Sequence, residues 1–393
     1  ALARSAPFMR LFRIFQLGPA FTAYPGATHA RAAHSVGVYH LSRRLLLNLA
    51  ERGADAWLSF TGARSFLCAA LLHDLGHFPY THSLKELPLA PHEELTGRII
   101  LSEPVKTMVA RAGADPAMTA AIVHTALPGQ DGELRFYRKL LSGVLDPDKL
   151  DYLNRDARFC GVPYGAQDVD FILSRLYPEE ERGFDIDSRG IPSVESVLFS
   201  KYLMYRTVYW HRSVRSATAM IKKALLGGLQ AGALAAEELY GLDDQGLFSL
   251  MADRSHPFFA LAGKVRDGCL YGAVAEFPFD ESVHRALGDI TKRAAHEQAL
   301  AGELSQAAGT TISPEALIID VPEPVSFETG LYVKDEDRPF SESSGLFTAR
   351  GVEALAKTLR IIRVFADPFY ENRIKSCFML PDILHNCKKW LHL

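Results

Sequence analysis

The fold of this chain is limited above all by Leu71-Leu72-His73-Asp74-Leu75-Gly76-His77-Phe78-Pro79-Tyr80-Thr81-His82. An apolar run over residues 66–72 leads straight into His73-Asp74, and Gly76 and Pro79 then interrupt it. The pattern predicts a buried helix that ends at a polar pair. Many His-Asp pairs are only a surface histidine beside a helix-end acid. Here the apolar lead-in carries the pair inside, where an imidazole nitrogen and a carboxylate oxygen can converge on a metal. His77 and His82 bring further imidazoles into the same short span.

Upstream, residues 8–17 have Phe8, Leu11, Phe12 and Phe15 at helical spacing, with Arg10 and Arg13 off that face. A short amphipathic helix is expected there, closed by Gly18-Pro19, with Gln16 and Leu17 bordering a pocket. A second helix is expected from Thr28 or His29 to about Ala50. In it Arg31 and His34 share a face, and Gly37 leaves room for another element. His29, His40 and His124 read as structural. Residues 64–75 form the helix of the His-Asp pair, and one helix is expected over residues 93–112, after His92.

A second informative stretch is Asp146-Pro147-Asp148-Lys149-Leu150-Asp151-Tyr152-Leu153-Asn154-Arg155-Asp156. Pro147 suits a first helical position, and acids favour the N-terminal end of the helix dipole. Asp148, Tyr152, Arg155 and Asp156 then form one polar face, which by itself could equally be solvated surface. Further on, helices are expected over residues 169–176 and 194–231. The latter places Arg206, Tyr209 and Arg212 at spacings of three, and such an aromatic and basic face suits a nucleoside polyphosphate. An amphipathic helix with snorkelling cations is the bland alternative.

Beyond Gly272 comes a helix at residues 282–304, then β-like runs at 317–319, 331–333 and 359–365, and a final short helix from Pro381. The fold expected is mainly α, a helical bundle over residues 1–270 with a small α+β appendage over 271–393. Net charge is −3, so any anion binding comes from a local cluster. The cysteines Cys68, Cys160, Cys269, Cys377 and Cys387 lack a C-x-x-C pair and read as reduced core residues. No run reaches the roughly 18 to 20 apolar residues of a membrane span, and no signal-peptide core is visible. A cytoplasmic protein without membrane contact is expected.

His34, His73, Asp74 and Asp148 assemble into a His-His-Asp-Asp set drawn from three helices. Four protein donors leave positions open on a five- or six-coordinate metal, which suits phosphate-ester hydrolysis. His77, His82 and His92 remain as candidates for proton transfer to a leaving oxygen.

At this point the sequence resembles the HD-domain metal-dependent phosphohydrolases, in the branch of deoxynucleoside triphosphate triphosphohydrolases that includes the mammalian sterile-alpha-motif-and-HD-domain enzyme and bacterial relatives. The resemblance rests on QLG at Gln16, YPGATHARAAHSVGV from Tyr24, HDLGHFPYTH from His73, HE at His92, DPDKLDYLNRD from Asp146 and YWHR at Tyr209. It implies a metal on His34, His73, Asp74 and Asp148, one of Fe, Mn, Ni, Co or Zn, with Mg on the substrate phosphates. It implies proton handling by His82 and His92, with His77 also in the pocket. Arg31, Lys149 and Tyr152 would contact phosphates. Gln16, Asp156 and Tyr209 would face the sugar, Tyr209 where a 2′-hydroxyl is excluded, and Leu17 joins them as a substrate-binding candidate.

The implied reaction releases a deoxynucleoside and triphosphate, in a homo-oligomer of two or four chains. Lys85 stands where relatives carry an acid, with Glu86 beside it. Arg4 and Met9 replace the acidic and glutamine positions that read an activating nucleotide, and the chain is expected to lack part of the native N-terminus. His211 and Arg212 match a nucleotide-binding subunit interface and are the candidates for regulation. The alternatives are an HD-type phosphodiesterase or nuclease, a broader nucleotide phosphohydrolase, and a non-catalytic nucleotide sensor.

Overall fold

In the computed structural model, residues 1–129 and 131–377 are described. The helix expected from Pro381 and Cys387 lie outside them.

Three helices build the frame of the site. Arg31–Glu51 packs against both Phe60–Leu72 and Pro147–Cys160. Ser59 caps the second of these, its side chain accepting from the Gly62 amide, and the helix ends at His73. The third starts as its sequence predicts, with Pro147 in the first turn and the Asp146 carboxylate accepting from the Lys149 amide. It closes on Gly161 in the left-handed region at φ 67°. The Arg31–Glu51 and Pro147–Cys160 helices come together at Gly37, where an added Cβ would stand 1.9 Å from Asp151 Oδ1. Only glycine admits that carboxylate.

Five expected elements differ, one of them the helix at residues 282–304, which is Glu281–His284, a tight turn over Arg285–Gly288 and the helix Ile290–Ala308. The helix over residues 8–17 is instead Ala6–Arg10 followed by a tight turn, Leu11–Arg13. The buried side chains are Phe8, Leu11 and Ile14, while Phe12 is exposed, because Phe15 leaves the helix to bridge Ala30. The helix over residues 93–112 is two helices, His92–Ile100 and Val105–Arg111, since Pro104 cannot continue the first. The helix at 169–176 stops at Ser174, and the hairpin Leu176–Glu179 with Gly183–Ile186 follows it. The long helix at 194–231 is broken into Ile191–Met204 and Arg212–Gln230 by a wide turn of π geometry, Tyr205–Tyr209.

Among the described residues the fold is mainly α with two small sheets. Gly272–Pro278, Ile361–Ala366 and Leu317–Asp320 form an antiparallel three-stranded sheet with Ile361–Ala366 central. The other sheet joins the 176–186 hairpin to Tyr332–Val333 and Arg338–Pro339. Chain order and core membership therefore part company after residue 271. Ile362, Val364 and Leu317 sit in a core under the three-stranded sheet, while Phe327, Val333, Phe340 and Leu359 return to the core that holds Phe66 and Leu72. Among the described residues no helix is long and apolar enough to cross a membrane.

Candidate metal centre and its cavity

His34, in the first turn of its helix, has its ring oriented from behind. Asp151 Oδ2 accepts from Nδ1 at 2.8 Å, and Arg155 holds both oxygens of Asp151 at 2.8 Å. The other nitrogen, Nε2, then faces Asp148 Oδ1 at 2.9 Å. Burial would lower the His34 pKa, but the bonds to Asp148 and Asp151 raise it to about 10. His73 is fixed in the same way, Nδ1 donating to the Ala70 carbonyl at 2.9 Å. Its Nε2 is buried without a hydrogen bond, 3.2 Å from Asp74 Oδ1 and 3.8 Å from Asp148 Oδ1. Donor atoms of His34, His73 and Asp74 lie within 4.8 Å of one another. Two imidazoles with fixed tautomers, two carboxylates and an orphaned nitrogen aimed among them fit a divalent metal.

Beside this set stands a cluster of imidazoles. His77 Nε2 is 3.0 Å from His82 Nε2, the His77 and His92 rings lie 3.9 Å apart, and His77 Nδ1 is 3.2 Å from Asp74 Oδ1. These three are as close together as the first set. Two carboxylates touch them, Asp74, already committed to that set, and Glu93, whose Oε2 lies 3.1 Å from His92 Nδ1. Burial, reinforced by the Arg31 guanidinium, holds His77 well below the usual imidazole range, and burial brings His92 down to about 4. Burial would raise Asp74, but His77, His73 and Arg31 hold it well below the usual carboxylate range. Arg31 Nη1 donates to Asp74 Oδ2 at 2.9 Å.

The turn carrying these groups is pinned through its backbone. Thr96 Oγ1 accepts from the Gly76 amide and donates to the His73 carbonyl. Arg10 donates to the carbonyls of Leu75 and His77 at 2.6 and 2.5 Å, and to that of Leu242 at 2.9 Å. A Cβ at Gly76 would meet the His92 carbonyl at 2.2 Å, which ties the turn to the His92–Ile100 helix.

A cavity of about 360 Å³ opens over the centre. Its lining includes His34, His73, Asp74, Asp148, His82, His92 and Arg31 together with Gln16, Leu17, Tyr152, Asp156 and Tyr209. Tyr209 donates its hydroxyl to Asp156 Oδ2 at 2.8 Å, and Asp156 Oδ1 meets His29 Nε2 at 2.8 Å. His29, expected to be structural, stacks on Phe159 and orients Asp156. Gln16 Oε1 is buried without a partner.

Some expected residues stand elsewhere. Lys149 does not line the cavity, since its amine turns back to the Gly143 carbonyl and Asp146 Oδ2, both at 2.8 Å. His77 lies behind His82, fully buried, instead of on the wall. The face expected for Arg206, Tyr209 and Arg212 is undone by the π turn. Arg206 is exposed and bonds to Tyr202, while His211 caps the next helix and Arg212 is exposed beyond it. Lys85 lines the cavity, whereas Glu86 turns away to Lys222 and Arg293. Residues that the sequence did not single out include Asp151, Arg10 and Thr96, which act on the centre through others, and Tyr80, Arg215, Thr218 and Glu323 to Val325 on the cavity wall. Gly37 was the one local signal for Asp151.

Two family profiles match the chain, the HD domain over residues 31–126 and the HD associated region over residues 168–379. The uncharacterized protein YwfO of Bacillus subtilis is 36% identical over 220 residues, which are 56% of this chain and 49% of that protein. Human deoxynucleoside triphosphate triphosphohydrolase SAMHD1 is 26% identical over 254 residues, 56% of this chain and 40% of that protein. The chain thus spans about half the length of the curated relatives it matches, or less. A hypothetical protein from Aquifex aeolicus superposes with a TM-score of 0.72 at 25% identity, covering 95% of this chain and 94% of that one. A phosphohydrolase from Bacteroides thetaiotaomicron shares the fold, with a TM-score of 0.71 at 23% identity over 93% and 94% of the two chains.

Proposed function

The chain belongs to the HD-domain phosphohydrolases, carrying the HD domain and the HD associated region in tandem, and from that premise we propose that it cleaves deoxynucleoside triphosphates to deoxynucleoside and triphosphate. The observation that carries this reading is that one cavity is lined both by His34, His73, Asp74 and Asp148 and by Gln16, Asp156 and Tyr209. The first set handles phosphate, and the second presents a hydroxyl acceptor and an aromatic wall to a sugar. The match to SAMHD1 supports the same reading.

His34, His73, Asp74 and Asp148 would hold the divalent metal, whose chemistry when bound is Lewis acidity toward a phosphoryl oxygen and a lowered pKa for water. Arg31 adds a fixed positive charge beside Asp74, and its buried Nε has no partner to give up when a phosphate oxygen arrives. Tyr152 borders the phosphates from the opposite helix. Water attacks the α-phosphorus, the bond from phosphorus to O5′ breaks, and O5′ takes up a proton. His82 and His92 line the cavity and are the groups for that transfer, with His77 behind them exchanging the proton through the contact to His82. Gln16 and Asp156 accept from sugar hydroxyls. The Tyr209 ring, held by its bond to Asp156, closes the space that a 2′-hydroxyl would need.

Homo-oligomer formation, with a regulatory nucleotide at His211 and Arg212, belongs to the same proposal, and sedimentation with and without dNTP tests it. Product analysis on a dNTP panel tests the reaction. Deoxynucleoside with tripolyphosphate is the expected pair. Release of pyrophosphate or orthophosphate instead overturns the cleavage position, and equal rates on ATP and dATP overturn the deoxynucleotide selectivity.

A further inference from the structure

The cavity wall continues past the sugar-facing residues on two chain segments. Gln16 is followed by Leu17, Gly18 and Ala20, and Tyr209 by Trp210 and then Val214, all of them on the wall. The Gly18–Thr22 turn packs on the Arg212–Gln230 helix, and Leu17, Ala20 and Val214 share one apolar cluster. The two segments therefore enclose an apolar compartment next to the groups that would face a sugar.

Tyr80 is a third wall of this compartment, held in a backbone conformation that residues with a side chain rarely adopt. Its φ is 63°, and among the described residues the other non-glycine residue with positive φ is Asp337. Thr81 fixes the turn, its hydroxyl accepting from the Phe78 amide at 2.9 Å and donating to the Phe78 carbonyl. The Tyr80 ring then lies on Gly18, where an added Cβ would stand 3.4 Å from Tyr80 Cδ1. That segment is itself tied down, since Asp244 Oδ2 accepts from the Phe15 amide at 2.8 Å. Glycine would adopt this φ without strain, so the side chain has to contribute something. Packing on the cluster of Phe78 and Leu84 accounts for the ring, and phenylalanine would meet that need as well. The hydroxyl is left over. Among the described residues no hydrogen bond engages it, and burial, with Asp244 nearby, raises the phenol pKa above its ordinary value, so the proton stays on. Thr218, buried on the same wall one turn beyond Val214, has a hydroxyl that is equally unengaged among those residues.

We propose that Tyr80 is a specificity-determining residue whose hydroxyl reads the polar edge of the nucleobase, seated in the compartment of Gly18, Ala20 and Val214. The proposal rests on the deoxynucleotide reading above and adds the base to it. Bases differ in where their edges carry donors and acceptors. One hydroxyl on a fixed ring therefore finds a partner on some bases and is buried without one on others, and that difference is what discriminates.

Calorimetric titration of the whole chain with the four deoxynucleosides, which carry no phosphate to lose, tests it without requiring turnover. Tyr80→Phe keeps the ring and removes one oxygen. It should weaken the best-bound deoxynucleoside by about three- to tenfold, the scale of one neutral hydrogen bond, and bring the four affinities closer together. Binding of inorganic tripolyphosphate should not change. An equal loss on all four deoxynucleosides overturns the proposal, and so does a parallel loss of tripolyphosphate affinity. If the wild-type chain leaves dNTPs intact while the titrations follow the expected pattern, the reaction is misassigned and the base contact stands. If dNTPs are cleaved to tripolyphosphate and Tyr80→Phe binds all four deoxynucleosides as the wild type does, the reaction stands and the base contact falls.

Discussion

Two buried polar clusters flank the cavity, one around Asp74 and one around Arg215, and they differ in how completely they are paired. Arg215 holds both oxygens of Asp320 at 2.6 and 2.8 Å, Lys222 bridges Glu86 and Glu323, Arg293 meets Glu86, and Lys223 meets Glu297 at 2.7 Å. None of these side chains has a buried polar atom without a partner. Around Asp74 the count goes the other way, with Gln16 Oε1, Arg31 Nε, His73 Nε2 and His77 Nδ1 all buried and unbonded. Each such atom costs about 1–3 kcal/mol. A fold keeps several together where a ligand satisfies them, and spends complete ion pairs on holding its parts in register. The Arg215 cluster does the second task, tying the Arg212–Gln230 helix to the Leu317–Asp320 strand.

Substitutions in the two clusters should therefore fail in different ways. The largest effect is expected from Asp148→Ala, which should abolish hydrolysis and lower metal content while the helical circular dichroism is retained. Full activity and full metal occupancy in that variant would remove Asp148 from the centre. His82→Ala or His92→Ala, at whichever position passes the proton, should lose kcat by about 10² to 10⁴-fold with nucleotide still bound. Normal turnover in both variants would shift the role to His77.

In the other cluster, Asp320→Ala strands the buried Arg215, and removing one partner of a buried pair costs about 3–5 kcal/mol. Denaturant unfolding should register that loss, and the double variant Arg215→Met/Asp320→Leu should recover much of it. A stable single variant with low kcat would contradict the division between scaffold and site. Asp151→Asn sharpens the comparison from the site's side, because it acts through His34 alone. Metal affinity should fall by about 10- to 100-fold, the usual penalty for losing a carboxylate behind a ligating histidine. Unchanged metal binding would leave Asp151 as packing against Gly37.

The smallest effect concerns selectivity. A ring against C2′ is worth about 1–3 kcal/mol against an added hydroxyl, or roughly ten- to a hundredfold. Tyr209→Ala should narrow the dATP-to-ATP ratio of kcat/KM, chiefly by raising the ATP value. A ratio that does not move would place the discrimination at Gln16 and Leu17.

The local code was most legible where short-range interactions set the structure. Asp146-Pro147 marks a helix start because its cap, its missing amide and its charge all act within one turn. The run ending in His73-Asp74 marks a buried terminus by its apolar spacing, and Gly37 signals a close approach. The types of donor, imidazole and carboxylate, already narrow the chemistry to a metal and a phosphate. Weak local preference hid other features. The hairpin at Leu176–Ile186 has few apolar residues and is held by the sheet that it joins, and Tyr205–Tyr209 reads as ordinary helix until its neighbours require the wider turn.

What only the tertiary structure decided is direction and partnership. Successive residues on a helix point about 100° apart, so Asp148 and Lys149 part company, one to the metal set and the other to Asp146 at 2.8 Å and, at 3.7 Å, to Glu328. No spacing within residues 145–156 contains that second partner, which arrives from the far end of the chain. The same holds for Asp151 behind His34, Arg10 beneath the turn of Leu75 and His77, and Glu323 on the cavity wall. Each of these is a contact between segments far apart in sequence, made only when the core brings them together. The sequence by itself determined which chemistry the chain can hold. Packing determined which of those side chains meet.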